Sequence, residues 1–126
     1  MEEKTPPFNL QAQLYSLLVP KEILEYFDVT SVVERDADVT IELTEKADKI
    51  PKELLNKEAV WNGYLNQLEL QNFPIQGKSC YLRLIRRRWK QRGSGDNLSY
   101  HNEYDFAASG TKATKAFGAF LKEYLR

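Results

Sequence analysis

Hydrophobic residues recur at helical spacing near both ends of the chain. Near the start, the repeat is formed by Leu10, Leu14, Leu17 and Leu18. Asn9 can cap this helix, and Pro20 interrupts it and can begin a second short helix over residues 21–27. Near the end, Ser109 or Thr111 can cap a helix with an apolar stripe of Ala113, Ala116, Phe117, Phe120, Leu121 and Tyr124. Short N-terminal helices and an amphipathic C-terminal helix are therefore predicted.

Between the helices, apolar and polar residues alternate with the period of two that is typical of strands. Residues 29–34 and 39–44 form a predicted hairpin around Asp36, Ala37 and Asp38, and Pro51 begins a brief helix after it. A three-strand meander is predicted at about 64–72, from Lys78 onward, and at 98–106. The expected fold is an α+β domain over residues 9–126, with an antiparallel sheet of about five strands and a flexible lead-in at residues 1–8.

Composition limits the kinds of site that the chain can carry. A length of 126 residues with 42% hydrophobic residues suits one ordinary core. Cys80 is the lone cysteine and His101 the lone histidine, so neither an internal disulfide nor a Cys/His zinc cluster is expected, and no cofactor is predicted. No apolar run reaches the roughly 18 residues of a membrane span, and no signal peptide is recognised. A cytoplasmic location without membrane association is the expectation.

Charge is distributed unevenly although the net charge is zero. Residues 1–69 hold 7 Lys/Arg and 14 Asp/Glu, whereas residues 70–126 hold 11 Lys/Arg and 4 Asp/Glu. One explanation is that the two halves attract each other within the fold. The other is that one half attracts a charged partner, because surface charge governs association. Both explanations stay open at the level of sequence.

The basic charge is concentrated in residues 78–92, where seven of fifteen residues are Lys or Arg. In a continuous strand, Leu82 and Leu84 point into the core, and Arg86 and Arg88 follow them inward. Burying unpaired guanidinium groups is too costly. We therefore expect the strand to leave the core edge at about Ile85 and to end in an arm with cations on both faces.

Such an arm has the chemistry of a DNA-binding surface. A two-stranded ribbon fits the major groove, arginine suits phosphate or guanine recognition, and Trp89 can stack on bases. The candidate DNA-binding residues are Arg83, Arg86, Arg87, Arg88, Trp89, Lys90 and Arg92, together with Lys112 and Lys115 at the start of the last helix. The alternative is a solvated hairpin tip whose cations pair with acids of the first half.

A catalytic function is not expected from this sequence. His101, Glu103 and Asp105 are spaced to share one face of a strand, and this row resembles a minimal metal or acid/base cluster. A row of this kind is usually the solvent-exposed face of a strand, so neither a metal site nor catalysis is predicted. Cys80 is expected to be a small hydrophobic residue of the core.

Three segments in order carry a family resemblance: LLVPKEILEYFDV, FPIQGKSCYLRLIRRRW and SGTKATKAFGAFLKEYL. They resemble the N-terminal region of a group of bacterial insertion-sequence transposases, which is often encoded as a separate short protein. The likeness covers roughly residues 17–125. Its most specific positions are Arg86, Arg87, Arg88, Trp89, Gly110, Thr111 and Lys112. The resemblance implies a DNA-associated module, with the catalytic residues of strand transfer in a downstream region.

Two functions are therefore carried forward from the sequence. The first is a non-catalytic DNA-binding module of a transposase system, which contacts DNA through the basic strand. The second is a protein-interaction module that forms a homodimer, or docks onto a catalytic transposase subunit, through its acidic and basic halves.

Overall fold

The chain folds as an α+β structure, and the computed structural model describes residues 10–93, 95 and 98–124. The predicted lead-in at 1–8 and the predicted cap at Asn9 lie outside the described residues. The helices are α1 (Leu10–Ser16), α2 (Lys21–Leu24) and α3 (Lys115–Tyr124). The strands are β1 (Phe27–Glu34), β2 (Asp38–Glu45), β3 (Ala59–Tyr64), β4 (Leu68–Ile75), β5 (Lys78–Ile85) and β6 (Arg87–Gln91). A short 3₁₀ turn at Lys52–Leu54 follows Pro51, where a brief helix was predicted.

The larger sheet has the strand order β1-β2-β5-β4 and is mixed. The hairpin of β1 and β2 is antiparallel as predicted, and so is the pair of β4 and β5, which turns at Gln76 and Gly77. The prediction of a wholly antiparallel sheet is wrong, because β2 and β5 run parallel side by side. A parallel pair needs a long crossover, and here residues 46–77, including β3 and β4, provide it.

The smaller sheet consists of β3 and β6, which pair antiparallel and are called the ribbon below. β5 ends at Ile85, where the sequence predicted that the strand leaves the core, and β6 begins two residues later. Trp89 pairs with Trp61 of β3 and, through two 2.8 Å backbone hydrogen bonds, with Tyr100 on its other side. β6 is therefore held on both edges at Trp89 and is not a free arm.

The predicted third strand of the meander, residues 98–106, is wrong. This segment makes one isolated bridge, between Tyr100 and Trp89. Its alternating pattern has another cause, since Tyr104 and Phe106 cover the core face of the larger sheet. Their rings stack at 5.1 Å, and each also contacts the ring of Phe27. A period of two reports an extended backbone with one buried side, and it does not by itself report strand pairing.

The core lies on one face of the larger sheet and is centred on the side chains of the two central strands, β2 and β5. Parallel register places their inward residues side by side: Val39 with Cys80, Ile41 with Leu82, and Leu43 with Leu84. Five of these six side chains are completely buried, and Val39 is 2% exposed. The prediction that Cys80 lies in the core is thus confirmed, and burial raises the pKa of its thiol to about 11.

The two ends of the chain pack differently against this sheet. Ile23 of α2 is fully buried, but the four leucines of the first helical repeat remain exposed, with Leu17 at 79%. In α3 only Phe117 is buried, and Tyr124 at the end of the apolar stripe is 69% exposed. The predicted caps of α3, Ser109 and Thr111, are wrong. The helix begins at Lys115, and Thr114 directly before it caps the first turn, since its Oγ1 accepts a hydrogen bond from the Phe117 backbone N–H.

Across residues 10–93, 95 and 98–124, the helices are all too short or too polar to span a bilayer.

Candidate nucleic-acid interface

Glu45, at the end of β2, connects the larger sheet to the ribbon. Its side chain is completely buried. Oε1 accepts a 2.8 Å hydrogen bond from the backbone N–H of Arg87. Oε2 accepts a 2.8 Å bond from Asn102 Nδ2 and a further bond from the hydroxyl group of Tyr104. One carboxyl group thus fixes the start of β6 and the 102–104 segment against β2.

The contacts of Glu45 also hold the Tyr104 hydroxyl and Asn102 side chain in place. Burial, together with the hydrogen bond to Glu45, raises the pKa of Tyr104 well above its ordinary value. Asn102 Nδ2 additionally donates a 2.7 Å bond to the backbone oxygen of Lys49. The polar groups around Glu45 are therefore paired with one another, as buried polar groups must be.

The position of Arg87 follows from this anchor. Its Nε donates a 2.8 Å hydrogen bond to the backbone oxygen of Glu45. The guanidinium carbon lies 5.7 Å from the ring centre of Trp61 and 6.0 Å from that of Tyr64. Both distances are within the range of cation–π contacts. Trp61, Tyr64 and Arg87 are called the aromatic patch below.

A bulge in β3 brings the two rings of the aromatic patch together. In a regular strand Trp61 and Tyr64 would point to opposite faces, because they are three residues apart. Here Trp61 lies opposite Trp89 and Tyr64 lies opposite Arg87, so three steps on β3 match two steps on β6. Such an extra residue re-aims the side chains that follow it. The rings of Trp61 and Tyr64 consequently meet edge to face, with their centres 5.3 Å apart.

Gly63 makes this bulge possible. Its φ of +88° lies in the left-handed region that side-chain-bearing residues rarely adopt. A Cβ atom at this position would lie 3.2 Å from Nη2 of Arg88. Arg88 Nε in turn donates a 2.8 Å hydrogen bond to the backbone oxygen of Asn62. The bulge therefore also provides the attachment point for the second arginine of β6.

The aromatic patch is accessible from solvent. Trp61 is 48% exposed and Tyr64 is 47% exposed, although both rings have aromatic and guanidinium neighbours. Exposed aromatic rings beside an ordered cation can stack on planar groups and can bind anionic ligands. Neither Trp61 nor Tyr64 is among the DNA-binding residues that the sequence predicts. Their signal was the run AVWNGY, in which two aromatic residues flank an Asn-Gly pair, but the bulge disrupts the period that would have identified the strand.

The structure brings some of the predicted DNA-binding residues together and buries others. Arg87, Arg88 and Lys90 lie on β6, and Arg92 follows its end. Trp89 is only 6% exposed, so its ring is not available to stack on bases. The exposed tryptophan of the ribbon is Trp61.

Arg86 lies between β5 and β6 and is also largely enclosed. Its side chain is 12% exposed, and Nη1 lies 3.3 Å from the backbone oxygen of Asn102 and 3.5 Å from Glu103 Oε1. Its Nε is buried and has no hydrogen-bond partner among the residues that the structure describes. Arg86 therefore contributes to the junction between the two sheets more than to the surface.

The other predicted cations are distributed over the fold. Arg83 lies on the outer face of the larger sheet, between Glu42 at 3.0 Å and Glu69 at 3.6 Å. Lys112 lies beside β4, because its backbone oxygen accepts a 2.7 Å bond from Gln71 N–H, and Lys115 pairs with Asp105 at 3.4 Å. These residues do not extend the surface of β6.

Several ion pairs join the acidic half of the chain to the basic half. They are Lys78–Glu34, Arg83–Glu42, Arg83–Glu69 and Arg92–Glu58. Attraction between the halves thus accounts for part of the charge asymmetry. Lys90 and Lys112 are exposed, and no ion pair connects either of them to another residue in the part of the chain that the structure describes.

The possible acid/base row divides into two separate contacts. His101 Nε2 and Glu103 Oε2 form a 2.6 Å hydrogen bond, whereas Asp105 pairs with Lys115 at 3.4 Å. No group of three or more His, Cys, Asp or Glu side chains within residues 10–93, 95 and 98–124 is arranged to hold a metal ion.

Comparison with known proteins gave no match: no family model, curated protein or solved structure shows significant similarity to this chain.

Proposed function

We propose that the protein binds DNA without catalysing a reaction on it, as a module of a transposase system, and that the ribbon is the contact surface. The observation that carries this proposal is the aromatic patch, where the buried carboxyl group of Glu45 and the backbone of β2 hold Arg87 over two exposed rings. The resemblance of three sequence segments to transposase N-terminal regions supplies the transposition context.

The charge of the ribbon supports an anionic ligand. Residues 87–92 contain four cations and no acid. Glu45 is buried beneath the ribbon, and Glu58, which pairs with Arg92 at 3.5 Å, is exposed and therefore holds that cation weakly. A phosphate backbone offers several charges along a line, and each neutralised phosphate releases counterions into solution.

The arginines of β6 are ordered before any ligand binds. Arg87 and Arg88 each use Nε to donate to a backbone oxygen of a neighbouring strand. Within residues 10–93, 95 and 98–124, the Nη atoms of both side chains make no hydrogen bond to another residue. A guanidinium group that is already oriented loses less conformational entropy when it binds phosphate, which favours affinity.

A salt titration of DNA affinity tests the proposal. We expect fluorescence anisotropy to show binding to a duplex of about 20 base pairs, with an affinity that falls steeply between about 50 and 200 mM salt. In a Lys90→Ala/Arg92→Ala variant, the slope of log K against log salt should be smaller by about 2, since each lost phosphate contact removes about 0.9. Both side chains are exposed, so the fold should be retained.

A charge-matched control separates contact from general attraction. The Lys21→Ala/Lys52→Ala variant removes two exposed cations outside the ribbon and changes the net charge equally. It should bind DNA with nearly the wild-type slope. Undetectable binding at low salt, or an equal loss in both variants, would contradict the proposal.

The second candidate function, a protein-interaction module, is favoured by α1. Leu10 and Leu14 on α1, and Leu17 and Leu18 in the turn that follows it, are between 45% and 79% exposed, and an apolar surface of this kind suits a partner protein. A concentration-dependent increase in mass that Leu17→Gln removes, and that Lys90→Ala/Arg92→Ala leaves unchanged, would support this function.

A further inference from the structure

We infer that the aromatic patch binds unpaired bases, so that the DNA bound by this protein includes a single-stranded or frayed segment. The inference rests on the proposed function and names the kind of DNA that the same surface takes. It depends on the arrangement of Trp61, Tyr64 and Arg87.

The rings of the patch offer a stacking surface and are only partly used within the fold. Trp61 and Tyr64 contact each other edge to face, and about half of each residue remains exposed. Edge-to-face contact leaves ring faces that are not covered by the partner ring. Arg87 adds a third planar group that can stack on a base and attract a phosphate at the same time.

Base pairing would prevent this kind of contact. In a duplex the faces of the bases are covered by their stacked neighbours, and a protein reads the exposed edges through hydrogen bonds in the grooves. Aromatic rings can reach base faces only where bases are unstacked or unpaired. The patch is composed of rings and one guanidinium group, which suits stacking better than edge recognition.

The surroundings of the patch fit a single strand. Arg88 and Lys90 follow Arg87 on β6, and Arg92 lies just beyond its end, so a basic track runs along the strand that carries Arg87. Because successive side chains alternate, Arg88 and Lys90 lie on the face of the ribbon opposite to Arg87. Proteins that bind single strands combine such a basic track with aromatic stacking. Trp61 and Tyr64 are held in fixed relative positions by the bulge at Gly63, and less flexibility is lost on binding as a result.

Binding to matched oligonucleotides with and without bases tests the inference. The probes are a thymidine strand of about 16 nucleotides, an abasic strand of the same length, and a blunt duplex. We expect the wild-type protein to bind the thymidine strand at least about tenfold more tightly than the abasic strand, because stacking contributes this much per base. A Trp61→Leu/Tyr64→Leu variant should bind the thymidine strand and the abasic strand with nearly equal affinity.

Tyr124→Leu is the matched control, since Tyr124 is an exposed aromatic residue on α3 at 69% exposure. This variant should keep the wild-type preference, and circular dichroism checks that all variants fold. Equal binding of thymidine and abasic strands by the wild type would overturn the inference. A uridine strand that binds more tightly than the thymidine strand would overturn the assignment to DNA.

The outcomes separate this inference from the proposed function. If the wild-type protein binds none of the three probes at low salt, the proposed function fails and the inference fails with it. If it binds the duplex in a salt-dependent manner without preferring the thymidine strand, the proposed function stands and the inference alone is wrong.

Discussion

Replacing Glu45 with alanine is expected to lower the free energy of unfolding by about 3–5 kcal/mol. The substitution removes the acceptor of three donors: the Arg87 backbone N–H, Asn102 Nδ2 and the Tyr104 hydroxyl. An unpaired buried donor costs about 1–3 kcal/mol, and part of that cost is recovered if water enters the site. Urea denaturation followed by circular dichroism measures the change.

Two further variants make this prediction specific. Glu45→Gln keeps an acceptor for Arg87 but places an amide beside the Asn102 donor, so a smaller loss of about 1–3 kcal/mol is expected. Glu42→Gln, on the opposite face of the same strand, alters a partly exposed pair with Arg83 and should cost less than about 1 kcal/mol. A loss below about 1 kcal/mol for Glu45→Ala would show that this carboxyl group does not hold the ribbon.

Replacing Gly63 with valine is expected to cost about 1–3 kcal/mol of stability and to weaken single-strand binding about tenfold. A φ of +88° is strained for a β-branched residue, and the new Cβ would lie 3.2 Å from Arg88 Nη2. Relief of this strain would straighten β3. Trp61 and Tyr64 would then return to opposite faces of the strand. Urea denaturation and oligonucleotide anisotropy measure the two effects.

Gly63→Asn is the matched control for this prediction. Asparagine also adds a Cβ atom near Arg88, but it tolerates positive φ better than valine does. It should therefore retain more stability and most of the single-strand affinity. If valine and asparagine have the same effect on both measurements, the backbone conformation of Gly63 is not what creates the aromatic patch.

The sequence was sufficient to predict elements whose pattern is local. The period of two in residues 39–44 and 80–84 identified the central strands, and the break at Ile85 followed from the cost of burying arginine. The side-by-side parallel pairing of β2 with β5 was not predictable in this way. It joins residues about 40 positions apart, such as Ile41 and Leu82, and no local pattern encodes that choice.

The anchor of the candidate site was also present in the sequence, although it was not recognised there. Glu45 continues the inward series Val39, Ile41 and Leu43, so the strand pattern places an acid on the core face. A buried acid requires hydrogen-bond donors, and Arg87, Asn102 and Tyr104 provide them only after the whole fold has formed. The pattern therefore signals a buried polar site without identifying its partners.

The aromatic patch was missed for a related reason. The bulge at Gly63 breaks the alternation in β3, so residues 59–63 lack the period of two that predicts a strand. Trp89, the stacking residue that the sequence predicted, is buried, and its backbone pairs with Trp61 on one edge and with Tyr100 on the other. The exposed tryptophan of the ribbon is Trp61 instead, and the local pattern does not encode this difference because β3 and β6 meet through long-range contacts.

Mapping of DNA contacts by NMR is the most direct test of the central claim that the ribbon binds DNA. Isotope-labelled protein would be titrated at low salt with a duplex that carries a single-stranded overhang of about 8 nucleotides. We predict that the largest amide shift changes fall in residues 59–64 and 87–92. Changes confined to α1, or to the outer sheet face around Arg83, would contradict DNA binding by the ribbon, and so would the absence of any change.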